Sequence, residues 1–430
     1  MLLIYTQKVT PRIDYIFKQI CTNILGIEIT FTSEIETFIS QNSPKISYGM
    51  FPLGTELFFE SKKLLFERKI EPQNIEVQKW ETTYGFFKTS NKSALPFDIF
   101  ASAFYLITRY EEYLPYRPDK NGAFPFNQSL AYENNFLHQP IIDIWAEIFL
   151  NILLSAFPDL SYQKKKYQIT PLVQAKQPFI YANQTVVNIV MGYIQDISLW
   201  KIKQSIIRSQ TLLGFQPDPY DTFSWITQNT KLADKSTIVF FMLGDTEEIS
   251  IRQNTHSLKF HQKIKFIGDY EEVGLMFSKQ ARFDDKAMKE EKNRMEAITH
   301  RPVKSTMFVD NNIKLPEVYR GLVQLEIEKD YSMVYNDAIG YRASTCSSFL
   351  FYDLEYEVKT PLTIAPVAIS TQALKQYDTK KIEELLQKYY EQIIVLGGEL
   401  NCLFSNQDFS LMHADNAPFW KNLFKTQLKL

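Results

Sequence analysis

TKKIEELLQKYYEQIIVLGGELNCLF, residues 379–404, sets the reading of the C-terminal part of the chain. Ile382, Leu385, Leu386, Tyr389, Ile393 and Leu396 recur at three- and four-residue intervals, so they share one side of a helix over Thr379–Leu396. Gly397-Gly398 stops that helix, because glycine takes up the left-handed conformation of a helix end without strain. Residues 400–404 then form a short apolar run with strand character. The same alternation recurs upstream. Residues 167–173, 237–243, 273–277, 305–309, 331–335 and 362–365 read as strands, with helical stretches between most of them. One such helix covers residues 284–298, where Glu290 and Arg294 stand four apart as an expected ion pair. Pro316 suits the first position of another. Seven strands alternating with helices favour parallel pairing and suit a (β/α) barrel-like arrangement, with an open doubly wound sheet as the competing layout. In either, a site would lie at the C-terminal ends of the strands.

Ahead of this pattern the chain reads differently, which divides it into an N-terminal α/β domain, residues 1–160, and a barrel domain, residues 161–430. Residues 2–5 form a first strand. Ile13, Ile16, Phe17, Ile20 and Ile24 then follow at helical spacing, with Pro11 near the helix start. Residues 27–31, 46–48 and 56–59 are further short β-like runs. A helix is expected over residues 98–113, capped by Asp98 and striped by Ile99, Ala103, Leu106 and Tyr110. A Pro- and Asn-Gly-containing loop ends it, and a second helix is expected over residues 141–157.

Composition narrows the function classes. At about 150 residues per domain, 430 residues allow two or three domains with a sizeable core. Phe and Tyr number 33 and 24 against 14 Gly, which favours an aromatic-rich interior. The net charge is −2, and Lys164-Lys165-Lys166, the most basic stretch, reads as a solvated linker, so no nucleic-acid partner is expected. The longest apolar runs, such as residues 101–107, fall well short of the roughly 20 residues of a membrane span. Cys21, Cys346 and Cys402 are sparse and far apart, which argues against a disulfide framework. The N-terminus lacks the features of a signal peptide, and a cytoplasmic location is expected.

No nucleotide-binding glycine loop, HExxH or GxSxG motif occurs. His256 and His261 are the only histidines near one another, and their five-residue gap fits neither face of a helix nor one face of a strand. They read as surface positions, and no metal or other cofactor is expected. Asp245 directly follows strand 237–243 and is the best-placed acid at a strand end, with Asp269, Asp310 and Asp353 also near segment ends.

Longer signatures carry a resemblance. They are LPFDIFASAFYLITRYEEYLPY (95–116), FPFNQSLAYENNFLHQPIIDIWA (124–146), DPYDTFSWI (218–226), DYSMVYNDAIGYRASTCSSFLFYDLE (330–355) and TPLTIAPVAI (360–369). In this order they resemble bacterial polysaccharide deacetylase-type (NodB-like) proteins that carry an additional N-terminal α/β region. The resemblance implies a deformed (β/α)7 barrel. It also implies a divalent metal that activates water against an acetyl group on a sugar, with an acid pair on the first strand, histidine ligands and a late histidine acid.

Those positions are degenerate in this sequence. Gln174 and Lys176 stand where the acid pair belongs. Met276 replaces a histidine, Met307 lies in the family's Arg- and His-containing strand, and Ser405 is at the late histidine position. No Asp or Glu occurs in residues 161–193 and no His in residues 262–298, so a shift in alignment restores neither. Arg342 and Asp353 match the remaining pattern, either as ligand contacts or as structural ion pairs at the rim. The reading is therefore a catalytically inactive, deacetylase-like protein that binds a saccharide or a protein partner. An active esterase, deacetylase or other hydrolase with a rebuilt site, drawing on Ser405, Asp245 or Arg342, is the alternative. A purely structural subunit is a third, and it requires a strand-end face filled by Met276, Met307 and Phe308 without a cleft.

Overall fold

The computed structural model describes residues 1–244, 253–412 and 416–429. Its N-terminal part holds a parallel sheet of Leu2–Tyr5 (β1), Ile29–Thr32 (β2), Lys45–Gly49 (β3) and Leu57–Glu60 (β4), in the order β2-β1-β3-β4. Pro11–Phe17 (α1) is capped by the Thr10 hydroxyl and runs on as a π-helical stretch, Lys18–Ile24. Ile35–Ser40 (α2) follows, and Gln78–Trp80 (β5) pairs with Thr83–Gly85 (β6) as an antiparallel ribbon. Ile99–Ile107 (α3), Leu130–Glu133 (α4) and Ile141–Ala156 (α5) complete this part. Phe17 stacks on Phe100 at 3.8 Å, and Tyr48, Phe59 and Phe149 meet Phe100 edge-on at 5.2–6.4 Å. The abundant aromatics thus form the core between sheet and helices, each such contact adding about 0.5–1.5 kcal/mol beyond burial.

The helix expected over residues 98–113 is shorter. Asp98 caps it as predicted, accepting from the Ala101 amide. The helix ends at Ile107, Arg109 turns left-handed (φ 54°), and Tyr110–Tyr113 is a single 3₁₀ turn. Two effects break it. The Thr108 hydroxyl competes for the Phe104 carbonyl at 2.7 Å. The reversed turn also carries the Arg109 guanidinium to partners in the second half of the chain.

That second half is a closed barrel. Gln168–Ala175 (β7), Val186–Ser198 (α6), Ile202–Leu212 (α7), Phe223–Ala233 (α8), Ile238–Met242 (β8), Leu258–Gly268 (α9) and Glu272–Phe277 (β9) come first. Asp285–Thr299 (α10), Ser305–Phe308 (β10), Glu317–Gln324 (α11), Lys329–Met333 (β11), Phe349–Asp353 (β12) and Val358–Ser370 (β13) follow. Thr371–Leu374 (α12), Thr379–Leu396 (α13), Glu399–Ser405 (β14) and Ala417–Lys429 (α14) complete the chain. Strands β7, β8, β9, β10, β11, β13 and β14 pair in parallel, and the β14–β7 and β11–β13 pairings close the ring. Each of the seven strand expectations corresponds to one barrel strand. The eighth strand of this sheet, β12, was not anticipated. It runs antiparallel along the edge of β13 that β14 takes over further on. Arg294 donates to the Leu243 carbonyl and the Thr255 hydroxyl, so its bonds fix a strand end rather than the expected pair with Glu290.

Alternation along the strands separates two cores. Leu172, Phe240, Met242, Met276, Met307, Tyr331, Val367 and Leu403 point inward and form a compact interior cluster. Val173, Phe241, Leu275, Phe277 and Phe308 point outward into the larger core, which continues through the helices into the N-terminal part. Among the described residues no helix is long and apolar enough to cross a membrane.

Candidate functional site

Inward-facing residues at the strand ends define the floor of the barrel mouth. Met242, Met276 and Met307 are register partners on three adjacent strands and are buried. Gln174 and Ser405 are register partners on β7 and β14. The strand period of two turns Gln174 and Lys176 toward the same side as Leu172, which lies in the interior cluster. The five degenerate motif positions therefore come from four strands around one end of the barrel. Phe308, expected to help fill that end, has the opposite parity and packs outward against Phe277 at 5.1 Å.

Beside this end of the barrel lies a cavity of about 340 Å³, which meets the interior cluster at Val334. Its walls are polar and come from the loops after the strands. Lys176 Nζ lies 3.3 Å from Asp310 Oδ1, and Lys279 Nζ lies 3.5 Å from Asp310 Oδ2. Asp310 and Asn311 both adopt left-handed backbone conformations, φ 56° and 48°. Asn336 holds this strained corner by donating to the Asp310 carbonyl and accepting from Asn311 Nδ2 at 2.6 Å. The N-terminal part supplies the roof. The Asn121 carbonyl accepts from Asn312 Nδ2 at 2.6 Å and from Arg282 at 3.1 Å, while Phe124 and Phe126 line the opening. Asn311 Oδ1 and Asn312 Oδ1 are buried and have no hydrogen-bond partner among the described residues. Both oxygens are sealed within the wall and do not open onto the cavity. A wider groove of about 740 Å³ lies between α1 and β12, away from the strand ends.

The residues named from the sequence as ligand contacts are distributed unequally. Arg342 borders the mouth, but its guanidinium is committed to Glu112 through two bonds of 3.0 and 2.8 Å. Glu112 also takes the Arg109 Nε–H at 2.8 Å, and Arg109 reaches the Tyr335 hydroxyl at 3.0 Å and the Arg342 carbonyl. Burial raises the Glu112 pKa, but the two guanidinium groups outweigh it and hold the carboxyl below its ordinary value. Asp353 lies on the outer strand β12, where Arg320 donates to it at 2.5 and 2.8 Å and the Glu355 and Tyr356 amides donate to Oδ1. It is not among the residues lining the mouth cavity. Asp245 lies outside the described residues.

The metal implied by the resemblance does not suit the donors present. Among the described residues no three His, Cys, Asp or Glu side chains are grouped to hold one. Asp310, a carboxylate at the cavity wall, faces two ammonium groups, and the methionine thioethers at the strand ends are weak ligands for a hard or borderline ion. His261 lies on α9, its Nε2 3.1 Å from the Thr255 carbonyl. The amide wall of Asn311, Asn312 and Asn336 was missed in the sequence. Its only local signal is the polar run Asp310-Asn311-Asn312 directly after a strand. The roof contributed by residues 119–127 carries no local signal of where it lands.

Comparison with known proteins adds the following. Residues 2–158 match the model of a family of unknown function, DUF7033. No curated protein matches the chain. Among solved structures, the chain is similar to a protein assigned as a polysaccharide deacetylase from Mycobacterium smegmatis, at 9% identity and a TM-score of 0.39, over 62% of this chain and 85% of that one. It is also similar to the 4-alpha-glucanotransferase of Thermococcus litoralis, at 10% identity and a TM-score of 0.34, over 61% of this chain and 37% of that one.

Proposed function

We propose that this chain is a non-catalytic, deacetylase-type barrel protein whose mouth holds a saccharide. The observation that carries the reading is the cavity itself: a polar, amide-rich chamber at the strand ends where such barrels place their chemistry. Asn127 and Gln372 offer polar side chains for sugar hydroxyls, and Tyr335, Phe124 and Phe126 offer apolar edges for ring faces. The volume is that of a small-ligand site, which weighs against a purely structural subunit with a filled strand-end face. A rebuilt hydrolase would need a free nucleophile beside a base. Ser405 Oγ instead accepts from the Gln407 amide as the cap of a 3₁₀ turn, and Arg342 is spent on Glu112.

Two measurements test this. The purified protein should carry no stoichiometric zinc and release no acetate from acetylated chito-oligosaccharides or acetylated xylan; zinc with metal-dependent acetate release would overturn the proposal. Calorimetric titration with the same oligosaccharides should detect binding. Asn127→Ala combined with Gln372→Ala should weaken it roughly tenfold, about what losing one or two ligand hydrogen bonds costs.

A further inference from the structure

Between β7 and α8, at the mouth end of the barrel, the chain inserts a helical hairpin, α6 and α7, joined by Leu199, Trp200 and Lys201. Its amphipathicity is turned inside out. The seam between the two helices is polar: Arg208 Nε donates to Asp196 at 2.9 Å, and the Tyr193 hydroxyl lies 2.8 Å from Ser209 Oγ. Gly192 leaves space for the Arg208 guanidinium, which a Cβ there would meet at 2.3 Å. The apolar stripe of α6 instead faces outward, with Val187, Val190, Ile194 and Ile197 between 51% and 70% exposed. Trp200 at the tip is 85% exposed, and Ile202 and Ile206 continue the surface onto α7 at 62% and 52%. Scattered apolar residues need no explanation, but a contiguous stripe at helical spacing marks a surface that something covers.

Charge selects the covering surface. Asp196 is the only acid in residues 163–217, and it is buried against Arg208. The exposed charges of the hairpin are Lys201 and Lys203, both cationic and both close to Trp200 in sequence. An outward face with aliphatic side chains, a tryptophan and flanking lysines has the composition of a helix lying in a lipid headgroup region. The 13 residues of α6 reach about 20 Å, too short to span a bilayer and suited to lying along its surface. We infer that the α6–α7 hairpin docks the protein onto an anionic lipid surface. Ile194, Ile197 and Trp200 sit at the acyl boundary, Lys201 and Lys203 lie against lipid phosphates, and the barrel mouth is held close to the membrane. This inference is independent of what the mouth binds.

The full chain should float with phosphatidylglycerol–phosphatidylcholine vesicles and bind phosphatidylcholine vesicles about tenfold or more weakly. Brominated acyl chains should quench part of the tryptophan emission, and W200F should abolish that part while the other four tryptophans remain. The combination I194S, I197S and W200S should abolish flotation without lowering the melting temperature, because these side chains face solvent. K201E with K203E should cut binding to the anionic vesicles about tenfold. Failure of the wild type to bind anionic vesicles overturns the inference, as does quenching that persists in W200F. A wild-type dimer that the triple substitution turns into a monomer, without lipid binding, overturns it in favour of a second copy of this chain. If the triple variant unfolds, the W200F quenching result decides.

Discussion

Replacing Glu112 by Ala should destabilise the protein by about 3–5 kcal/mol, read as a shift of the urea midpoint at unchanged slope. Glu112 lies between Arg109 and Arg342, whose side chains are 1% and 2% exposed. Removing the carboxylate leaves two guanidinium groups buried, with Glu111, 2.8 Å from Arg109, as the nearest remaining acid. Burial raises the Glu111 pKa, and its ion pair is with Arg109, so it does not take the place of Glu112 at Arg342. The cost therefore comes from desolvated, unpaired cations more than from the lost bonds themselves. The same reasoning predicts that R109M, E111L, E112L and R342M combined cost much less than E112A alone, because that change removes every charge of the cluster together. A loss below about 1 kcal/mol in E112A would mean that water reaches the cluster. Tyr335 and Arg342 border the mouth, so E112A should also weaken ligand binding there.

Asp330 gives the second large effect, and it depends on pH. This β11 side chain is fully buried and accepts from Ser332 N at 2.9 Å, Thr306 Oγ1 at 3.0 Å and Ser332 Oγ at 3.1 Å. Burial outweighs these bonds and raises its pKa to about 6, against 3.8 for the exposed group. Between those values the folded chain binds the proton more tightly than the unfolded chain does. The Asp330 contribution to stability therefore rises as pH falls from about 6 to about 4, and is lost again as pH rises through about 6. The span is about 3 kcal/mol at most. Asp330→Asn carries no titrating group there. The stability of the wild type minus that of the variant should grow as the pH falls from 7 to 4, measured by urea unfolding at each pH. A difference that stays flat would mean that Asp330 titrates alike in both states.

Local pattern made much of the barrel legible. Most of the barrel strands contain a short apolar run, and α13 shows its stripe and its glycine stop in one stretch. Where the reading failed, a distant partner had overridden local preference. The 98–113 helix breaks at Arg109 because Tyr335 and the Arg342 carbonyl meet its guanidinium from across the chain. Strand β12 exists because one edge of the long β13 is uncovered until β14 arrives.

By itself, the sequence determined the alternation of strands and helices, the aromatic-rich core, and the lack of acids and histidines over whole segments where the resemblance requires them. These are properties of periodicity and composition, which short-range physics reads directly. Closure of the ring, the cavity between the strand-end loops and a roof from residues 119–127, and the burial of Arg342 beside Glu112 were decided only by the tertiary structure. So was the outward turn of α6, since apolar residues at helical spacing look the same in sequence whether the protein or something outside it covers them. Each of these depends on which distant surfaces meet, and that is fixed by packing the whole chain.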